Sequence, residues 1–268
     1  MPCLESDPIL PHRSTNPLDY QTVPRPVAAM AKQFEAGFRI PAHSHDRDQF
    51  LYAVSGIMRI RTKAEAWIVP PDRAVYVPAG LRHSVAMRGE VDMRTLYIAP
   101  GAASGLPQAA RVMDVSGLMR CLVLAMIEEP LLYDEAGRGG DIARLLLGEI
   151  ARAKPLHFVV PMPRDQRLGR LCAALLDDPA DSRTLDIWAE AAGASARTLA
   201  RLFQKEVGMN FVLWRQRVRF HNAIEALARG EPISRIAAAN GYRSPSAFAA
   251  AFGKIVGAAP SAFRTAAG

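Results

Sequence analysis

The sequence predicts an α+β multidomain chain. An N-terminal β-barrel with appended helices comes first, and an all-α domain with two helix-turn-helix units joined by a long helix follows. Three observations carry this expectation. Apolar runs between residues 27 and 100 are short and broken by Gly and Pro. From about residue 114 the apolar spacing becomes helical. Residues 185–263 hold a degenerate internal repeat.

Bulk properties bound the answer. A chain of 268 residues has room for two domains, each with its own core. Half the residues are apolar and 22% are charged, an ordinary globular composition. The three cysteines, Cys3, Cys121 and Cys172, form no CxxC pair, so neither a disulfide framework nor a zinc ribbon is indicated. Cys121 and Cys172 lie among apolar residues and are expected in the core, with Cys3 exposed. A reducing, cytoplasmic setting fits this usage. No basic segment precedes an apolar run at the N-terminus, and no run approaches the ~18 apolar residues of a membrane span.

The net charge of +7 is unevenly placed. Residues 164–268 carry 15 Lys+Arg against 9 Asp+Glu, whereas residues 1–163 carry 18 against 17. A basic domain on a neutral one points to a polyanion partner, with a solvated arginine-rich surface as the alternative.

The elements follow in order. Residues 1–26 are polar and hold six prolines, so they read as an extended or mobile arm. Residues 27–112 contain the runs QFLYAV, IMRIRT, AWIVP, AVYVP and MRTLYIA, which fit a small antiparallel barrel or sandwich. In residues 113–153, Val115, Leu118, Leu122 and Ala125 or Met126 take helical spacing. After Gly139-Gly140, Ile142, Leu145, Leu146 and Ile150 do the same. Two such helices either cover the barrel edge or form a dimer interface. Residues 154–164 hold Pro155, Pro161 and Pro163, which disfavour helix and mark an extended linker. Residues 165–268 are helical to the C-terminus.

The repeat sets the organisation of that last domain. Leu185, Trp188, Ala189 and Gly193 match Ile233, Ile236, Ala237 and Gly241 at an offset of 48. Leu199, Phe203, Lys205 and Gly208 match Phe248, Phe252, Lys254 and Gly257 at an offset of 49. The extra residue falls just after the glycine, in a turn. Helix-turn-helix units are expected at about 184–206 and 232–256. Ser195 and Ser244 are the expected N-caps, with Pro245 in the first helical position. Leu199, Leu202 and Phe203 are expected to pack inward in the first unit, and Ala247 or Phe248 with Phe252 in the second.

Between the units, Asn210 to Arg229 reads as one helix with two apolar stripes. Phe211, Trp214 and Val218 form one, and Leu213, Phe220, Ile224 and Leu227 the other. A surface helix needs only one stripe, so two suit a helix packed between lobes. Twenty residues span about 30 Å, close to the ~34 Å between successive major grooves on one face of DNA.

These residues resemble the AraC/XylS transcription regulators from about Leu168 onward. SARTLARLFQKEVGMNFVLWR carries the resemblance in the first unit, and GYRSPSAFAAAFGKIVGAAPSAFR carries it in the second. The resemblance implies double-stranded DNA as partner, with Arg197, Thr198, Ala200 and Arg201 on the first recognition helix. It implies Arg243, Ser244, Ser246 and Lys254 on the second. Arg197 and Arg201 are four apart and share a face; arginine reaches guanine through two hydrogen bonds worth ~1–3 kcal/mol in discrimination. Ala250 stands where many members carry a polar residue, so the second unit is expected to grip phosphate more than it reads bases. The alternative for Arg197 and Arg201 is surface salt bridging.

In the N-terminal half, Gly37-x5-His43-x-His45-x3-Gln49-x6-Gly56 is followed by Pro78-x-Gly80-x2-His83. This resembles the two motifs of the cupin barrel, in which HxH, a Glu and a later His line one pocket. His43, His45 and Gln49 share parity, and on a single strand all three would face one way. Three imidazoles and one carbonyl oxygen could hold a divalent metal. Three departures weigh against an obligatory metal: Gln49 replaces the usual glutamate, Asp72 stands at the glycine that opens the second motif, and Met87 replaces an asparagine. The other readings are a small-molecule effector bound by the histidines and Gln49, and a vestigial site. Tyr52, Trp67 and Tyr76 are candidate wall residues.

Other motifs are missing. Gly137-x-Gly139-Gly140 follows no strand, so it is no dinucleotide site, and there is no GxSxG, P-loop or HExxH. His157 and His221 are isolated and expected to be surface or partly buried. The expected function is a transcriptional activator or repressor controlled by an effector, acting as a homodimer, with RNA polymerase as a further partner and no membrane. The alternatives are a metal-dependent cupin enzyme, a dioxygenase or isomerase with an accessory DNA-binding domain, and an architectural DNA binder.

Overall fold

A computed structural model describes residues 14–156 and 158–264. Cys3, the first half of the expected arm and His157 lie outside the described residues. The described residues divide into two compact units. The first holds 14–59 and 69–156, and the second holds 60–68 and 158–264.

Unit 1 is an antiparallel sheet with helices on one face. Its strands are β1 (Val27–Phe34), β2 (Arg39–His43), β3 (Asp48–Thr62), β5 (Arg73–Val77), β6 (His83–Ile98), β7 (Arg111–Asp114) and β8 (Pro155–Leu156), while β4 (Glu65–Val69) follows β3 in the chain. The hydrogen-bonded path runs β1-β6-β3-β5-β7-β8, with β2 also on β6. Cross-strand pairs Phe50↔Tyr76 and Tyr52↔Ala74 share one face, and Gln49↔Val77 and Leu51↔Val75 share the other.

Helices α1 (Gly117–Glu128) and α2 (Arg138–Arg152) cover the first of these faces. Met119, Val123, Leu146 and Ile150 meet Phe50, Tyr52, Tyr76 and Leu96 in one buried cluster. The buried stripe of α1 is Met119, Leu122, Val123 and Met126, so Leu118 is turned outward at 54% exposure, and Leu145 of α2 likewise at 56%. Both were expected on the inner face. Period 3.6 allows either stripe, and packing against the sheet selects Met119, Leu122, Val123 and Met126.

The described part of the arm is anchored. Residues Pro17–Tyr20 form a 3-10 turn capped by Asn16, and Tyr20 and Val23 are buried. Tyr20 stacks on Tyr97 with centroids 5.6 Å apart. The buried Arg47 guanidinium donates to the carbonyls of Val23 at 2.7 Å, Arg25 at 2.8 Å and Tyr97 at 3.2 Å. Prolines make this segment read as extended or mobile, but an aromatic stack and two hydrogen bonds from the Arg47 guanidinium hold it in place. Asp72 has φ of 64°, the left-handed conformation that glycine adopts freely and that aspartate tolerates. That explains how it stands at a glycine position of the motif.

Unit 2 contains α3 (Gln166–Asp177), α4 (Leu185–Ala191), α5 (Ala196–Leu202), α6 (Phe211–Ala228), α7 (Ile233–Ala239) and α8 (Pro245–Val256). It also holds the hairpin 60–68, whose strand β4 pairs with β9 (Val160–Pro161) through Glu65↔Pro161 and Ala66↔Val160. Trp67 lies in this hairpin and not among the barrel residues. The proline segment is extended as expected, and its strand β9 seats Val160 in the core of α3–α6.

Helix α6 is buried on two sides. Phe211, Trp214 and Val218 pack with Leu168, Leu199 and Phe203. Phe220 meets Phe248 at 5.8 Å and Phe252 at 5.4 Å. Leu213 departs from its expected stripe and is 38% exposed. His221, expected near the surface, is 2% exposed. It faces the same way as Ile224 and Glu225, one turn on, which are also buried. Trp214 is fully buried and its Nε1 donates to the Pro161 carbonyl at 2.8 Å.

Replacing Trp214 by Ala should lower the stability of unit 2 by ~3–5 kcal/mol, through the lost volume and the orphaned carbonyl. Denaturant unfolding followed by circular dichroism measures this, and a shift under 1 kcal/mol would show that the core does not depend on that ring.

Candidate functional sites

Two groups of residues carry chemistry, one in each unit. In unit 1, β2 ends at His43 and β3 starts at Asp48, so His45 lies in the bend between them. The three motif residues therefore do not converge by parity along one strand. They converge because the chain turns. His43 is the direct cross-strand partner of His83, with ring centroids 4.5 Å apart. His45 folds back to 4.7 Å from His43 and 5.8 Å from His83. The Pro78–Leu81 turn is locked against this bend, as Gly80 N–H donates to the His45 carbonyl at 2.8 Å. The adjacent Asp48 carboxylate accepts from Ala79 N–H at 2.8 Å and from the Tyr76 hydroxyl at 2.6 Å.

One ligand atom from each histidine falls within 4.8 Å of the others. The tautomers are set from behind. His43 Nδ1 donates to the Pro41 carbonyl at 2.7 Å and His83 Nδ1 to the Leu81 carbonyl at 3.0 Å, which leaves each Nε2 with a lone pair. The Nε2 atoms of His45 and His83 and the Oε1 of Gln49 are buried without a hydrogen-bond partner. Burial pushes the Tyr97 hydroxyl up, the Gln49 side chain lies near enough to oppose this by favouring the charged form, and the Tyr97 ring meets His45 at 5.2 Å. Burial, then the neighbouring His43 and His83, hold His45 down at about 4. Burial holds His83 at about 4 too, with the Leu81 hydrogen bond opposing and His43 assisting. Both rings are neutral at pH 7.

Tyr52 and Tyr76 do not line this site. They face the α1–α2 cluster, opposite Gln49. The Tyr52 hydroxyl accepts from Arg120 at 3.1 Å. The aromatic residue that does reach the histidines is Tyr97, with Tyr20 stacked behind it. Its odd-numbered place opposite Ala28 is readable only once the β1–β6 register is known.

In unit 2, α4 and α5 form the first helix-turn-helix and α7 and α8 the second. The turns run 192–195 and 240–244, so the extra residue of the repeat lies where the offsets place it. Gly193 at φ 61° and Gly241 at φ 79° take the left-handed conformation these turns require. The Ser195 hydroxyl accepts from Thr198 N–H at 3.1 Å and that of Ser244 from Ala247 N–H at 3.2 Å. Leu199 and Phe203 hold α5, and Phe248 and Phe252 hold α8, leaving Ala247 exposed.

On the outer faces Arg197, Ala200, Arg201, Arg243, Ser246 and Lys254 are exposed, while the capping residues Thr198 and Ser244 are half-buried. Arg197, Arg201, Arg243 and Lys254 have no ion-pair partner among the described residues. The salt-bridge alternative for Arg197 and Arg201 is not realised here. The two recognition helices differ in form. Helix α8 runs unbroken for 12 residues, but α5 gives way after Leu202 to a wider π turn at Phe203–Val207.

Comparison with known proteins places these features in context. A helix-turn-helix domain family matches residues 188–266 and a cupin domain family matches residues 32–99. The chain is 27% identical over 220 residues to the HTH-type transcriptional regulator NimR of Escherichia coli (strain K12), spanning 82% of this chain and 80% of the relative. It is 35% identical over 134 residues to the HTH-type transcriptional regulator RipA of Corynebacterium glutamicum, spanning 50% and 38%. Among solved structures, ToxT from Vibrio cholerae aligns at 10% identity over 89% of this chain and 98% of that one, with a TM-score of 0.36.

The histidine values fix a pH dependence for the metal-free protein. A group whose folded value is about 4 against 6.5 when unfolded binds its proton only in the unfolded chain within that window. Stability is therefore full above pH 6.5 and falls as pH drops toward 4. Thermal melts of chelator-treated protein should show this decline, and His83→Gln should flatten it. An identical slope in the variant would show that these rings are not the cause.

Proposed function

Because the chain belongs to the AraC/XylS family of transcription regulators, we propose that occupancy of the three-histidine site in its cupin domain sets how its two helix-turn-helix units engage promoter DNA. The chain is a DNA-binding transcription regulator with a cupin effector domain, and its matched relatives are regulators and not enzymes. The observation that carries the proposal is the set of buried, unpartnered polar atoms at His45, His83 and Gln49, beside the three histidines whose ligand atoms lie within 4.8 Å of one another. A buried polar atom without a partner is costly, so such a cluster is built to receive something.

The donor set fits a divalent metal. Neutral imidazoles held by backbone carbonyls through the opposite nitrogen are the ligand arrangement that zinc, nickel and iron favour. His43, His45 and His83 would supply the nitrogens and Gln49 an amide oxygen. Four neutral donors leave the ion's two charges uncompensated in a buried place. A small organic anion is thus the effector this site favours, bound against the cation and bonded by the same polar groups. The substitution of Gln49 for a carboxylate supports a second reading, in which an organic effector hydrogen-bonds the imidazoles without a metal.

The exposed Leu118 and Leu145 on the outer faces of α1 and α2 support a homodimer built on these helices. Such a regulator works in the cytoplasm, with RNA polymerase as the further partner of an activator. The effector shifts the equilibrium between DNA-binding states only by its differential affinity for them.

Metal titration tests the site. Chelator-treated protein should take up one equivalent of cobalt(II), with ligand-field bands that report nitrogen coordination, and His83→Ala should abolish them. A spectrum unchanged by His83→Ala would sink the metal reading and leave the organic effector. DNA binding divides by residue. Arg201→Ala should cost ~1–3 kcal/mol on the preferred site and relax the choice of base there, whereas Arg243→Ala should weaken all duplexes alike. Selection from a randomised duplex pool decides it, and an unaltered consensus with Arg201→Ala would overturn the assignment of base reading to α5.

A further inference from the structure

A cleft of about 200 Å³ opens on unit 2 beside the turn of the second helix-turn-helix. Arg215, Gln216, Arg219 and Phe220 of α6 form one wall, and Asn240 and Tyr242 form the other. No carboxylate lines it. Arg215 and Arg219 are one helical turn apart, so they share a face of α6. The Arg215 guanidinium lies 5.2 Å from the Phe211 ring and donates to the Arg183 carbonyl at 3.1 Å, just ahead of the capped start of α4. Arg219 has neither a hydrogen bond nor an ion pair among the described residues. The Tyr242 hydroxyl accepts from Gln216 Nε2 at 2.7 Å, which leaves its own proton to donate. Asn240 spends one Nδ2 hydrogen on the Ile236 carbonyl at 2.8 Å and keeps the other.

We infer that this cleft seats a phosphodiester of the DNA backbone, gripped by Arg215, Arg219 and the Tyr242 hydroxyl. The reading rests on the chain being a DNA-binding regulator. Two guanidiniums and a hydroxyl proton border a cleft whose lining holds no carboxylate, which is the chemistry of phosphate recognition. Burial and then the nearness of Arg219 make the Arg215 charge harder to hold, against the smaller opposing pull of the Asp181 carboxylate, and a bound anion relieves that cost. The location selects DNA as the source. Residues 240–242 lead directly into α8, and the N-terminal end of a recognition helix enters the major groove while the preceding elements cross the backbone. The phosphates flanking that groove come against this turn. The contact is independent of base identity. It places a third grip on α6 itself, between the two recognition helices in sequence.

The test measures affinity for a short random-sequence duplex against salt by fluorescence anisotropy. Wild-type protein must bind the duplex, and failure to do so would overturn the regulator reading itself and this one with it. With binding established, Arg219→Gln should flatten the slope of log affinity against log salt by about 0.9, and Arg219→Lys should restore it. Arg170→Gln, an equal charge change at an exposed position on α3, is the reference. A slope for Arg219→Gln no flatter than that reference, with an unchanged melting temperature, would overturn the proposal. Should Arg219→Gln fail to fold, phenylglyoxal modification of the wild-type protein gives the answer. Duplex should protect Arg215 and Arg219. Protection by inorganic phosphate and none by duplex would assign the cleft to a free anion, and no protection by either would leave it without an anion; both overturn the proposal.

Discussion

A polar atom withdrawn from water needs a partner, and the places where this chain meets that demand or leaves it open define what it does. Arg47 meets it with three backbone carbonyls and so fastens the N-terminal segment to the sheet. Trp214 meets it with the carbonyl of Pro161 and so fastens the proline segment to α6. Asp48 meets it twice and fixes the turn that leads to His83. The demand is left open at several buried atoms, Thr95 Oγ1 and Trp188 Nε1 among them, and at His45 and His83 two such atoms stand beside His43 in one cluster. His43 and His83 cannot satisfy each other, because each donates through Nδ1 to a backbone carbonyl and offers Nε2 as an acceptor. Structural rigidity around the site and vacancy of hydrogen bonding within it are two outcomes of the same rule.

The C-terminal unit applies a different economy. Its interior is aromatic, and α6 is its axis, packed against Leu199 and Phe203 on one side and Phe248 and Phe252 on the other. Burying one helix from two sides ties each helix-turn-helix to the same rod, so each recognition helix is positioned by the same axis. The cations stay outside, in water, where leaving them unpaired costs little and where a polyanion can release its counterions on meeting them. Arg197, Arg201, Arg243 and Lys254 belong to that exterior, and Arg215 and Arg219 stand at the boundary between the two regimes.

The duplication is a duplication of scaffold. Capped helix starts, left-handed glycines and inward Phe or Leu recur in both units at the same places. The outer faces do not recur. The first helix offers two arginines one turn apart and then widens into a π turn, while the second presents alanines along an unbroken helix. Stability requires the repeated positions to be alike, and recognition places no such demand on the others.

The sequence by itself determined the two architectures, the helix-turn-helix spacing, the caps at Ser195 and Ser244, the two buried stripes of α6 apart from Leu213, and the identity of the three histidines. These are consequences of local periodicity and of backbone rules that act over a few residues. Only the tertiary structure decided which stripe of α1 turns inward, that Tyr97 and not Tyr52 or Tyr76 reaches the histidines, that the segment around Tyr20 is fastened down, and that His221 is buried. Each of these depends on a partner tens of residues away. Leu118 and Met119 are equally apolar until a sheet lies on one side of them. Tyr52 and Gln49 differ by three places, and in a strand an odd number of places is the opposite face. The bend at 44–47 brings His45 to its neighbours by breaking a strand that parity alone would have continued. Pattern along a chain reports which residues are alike, but which of them meet is set by how the whole chain closes on itself.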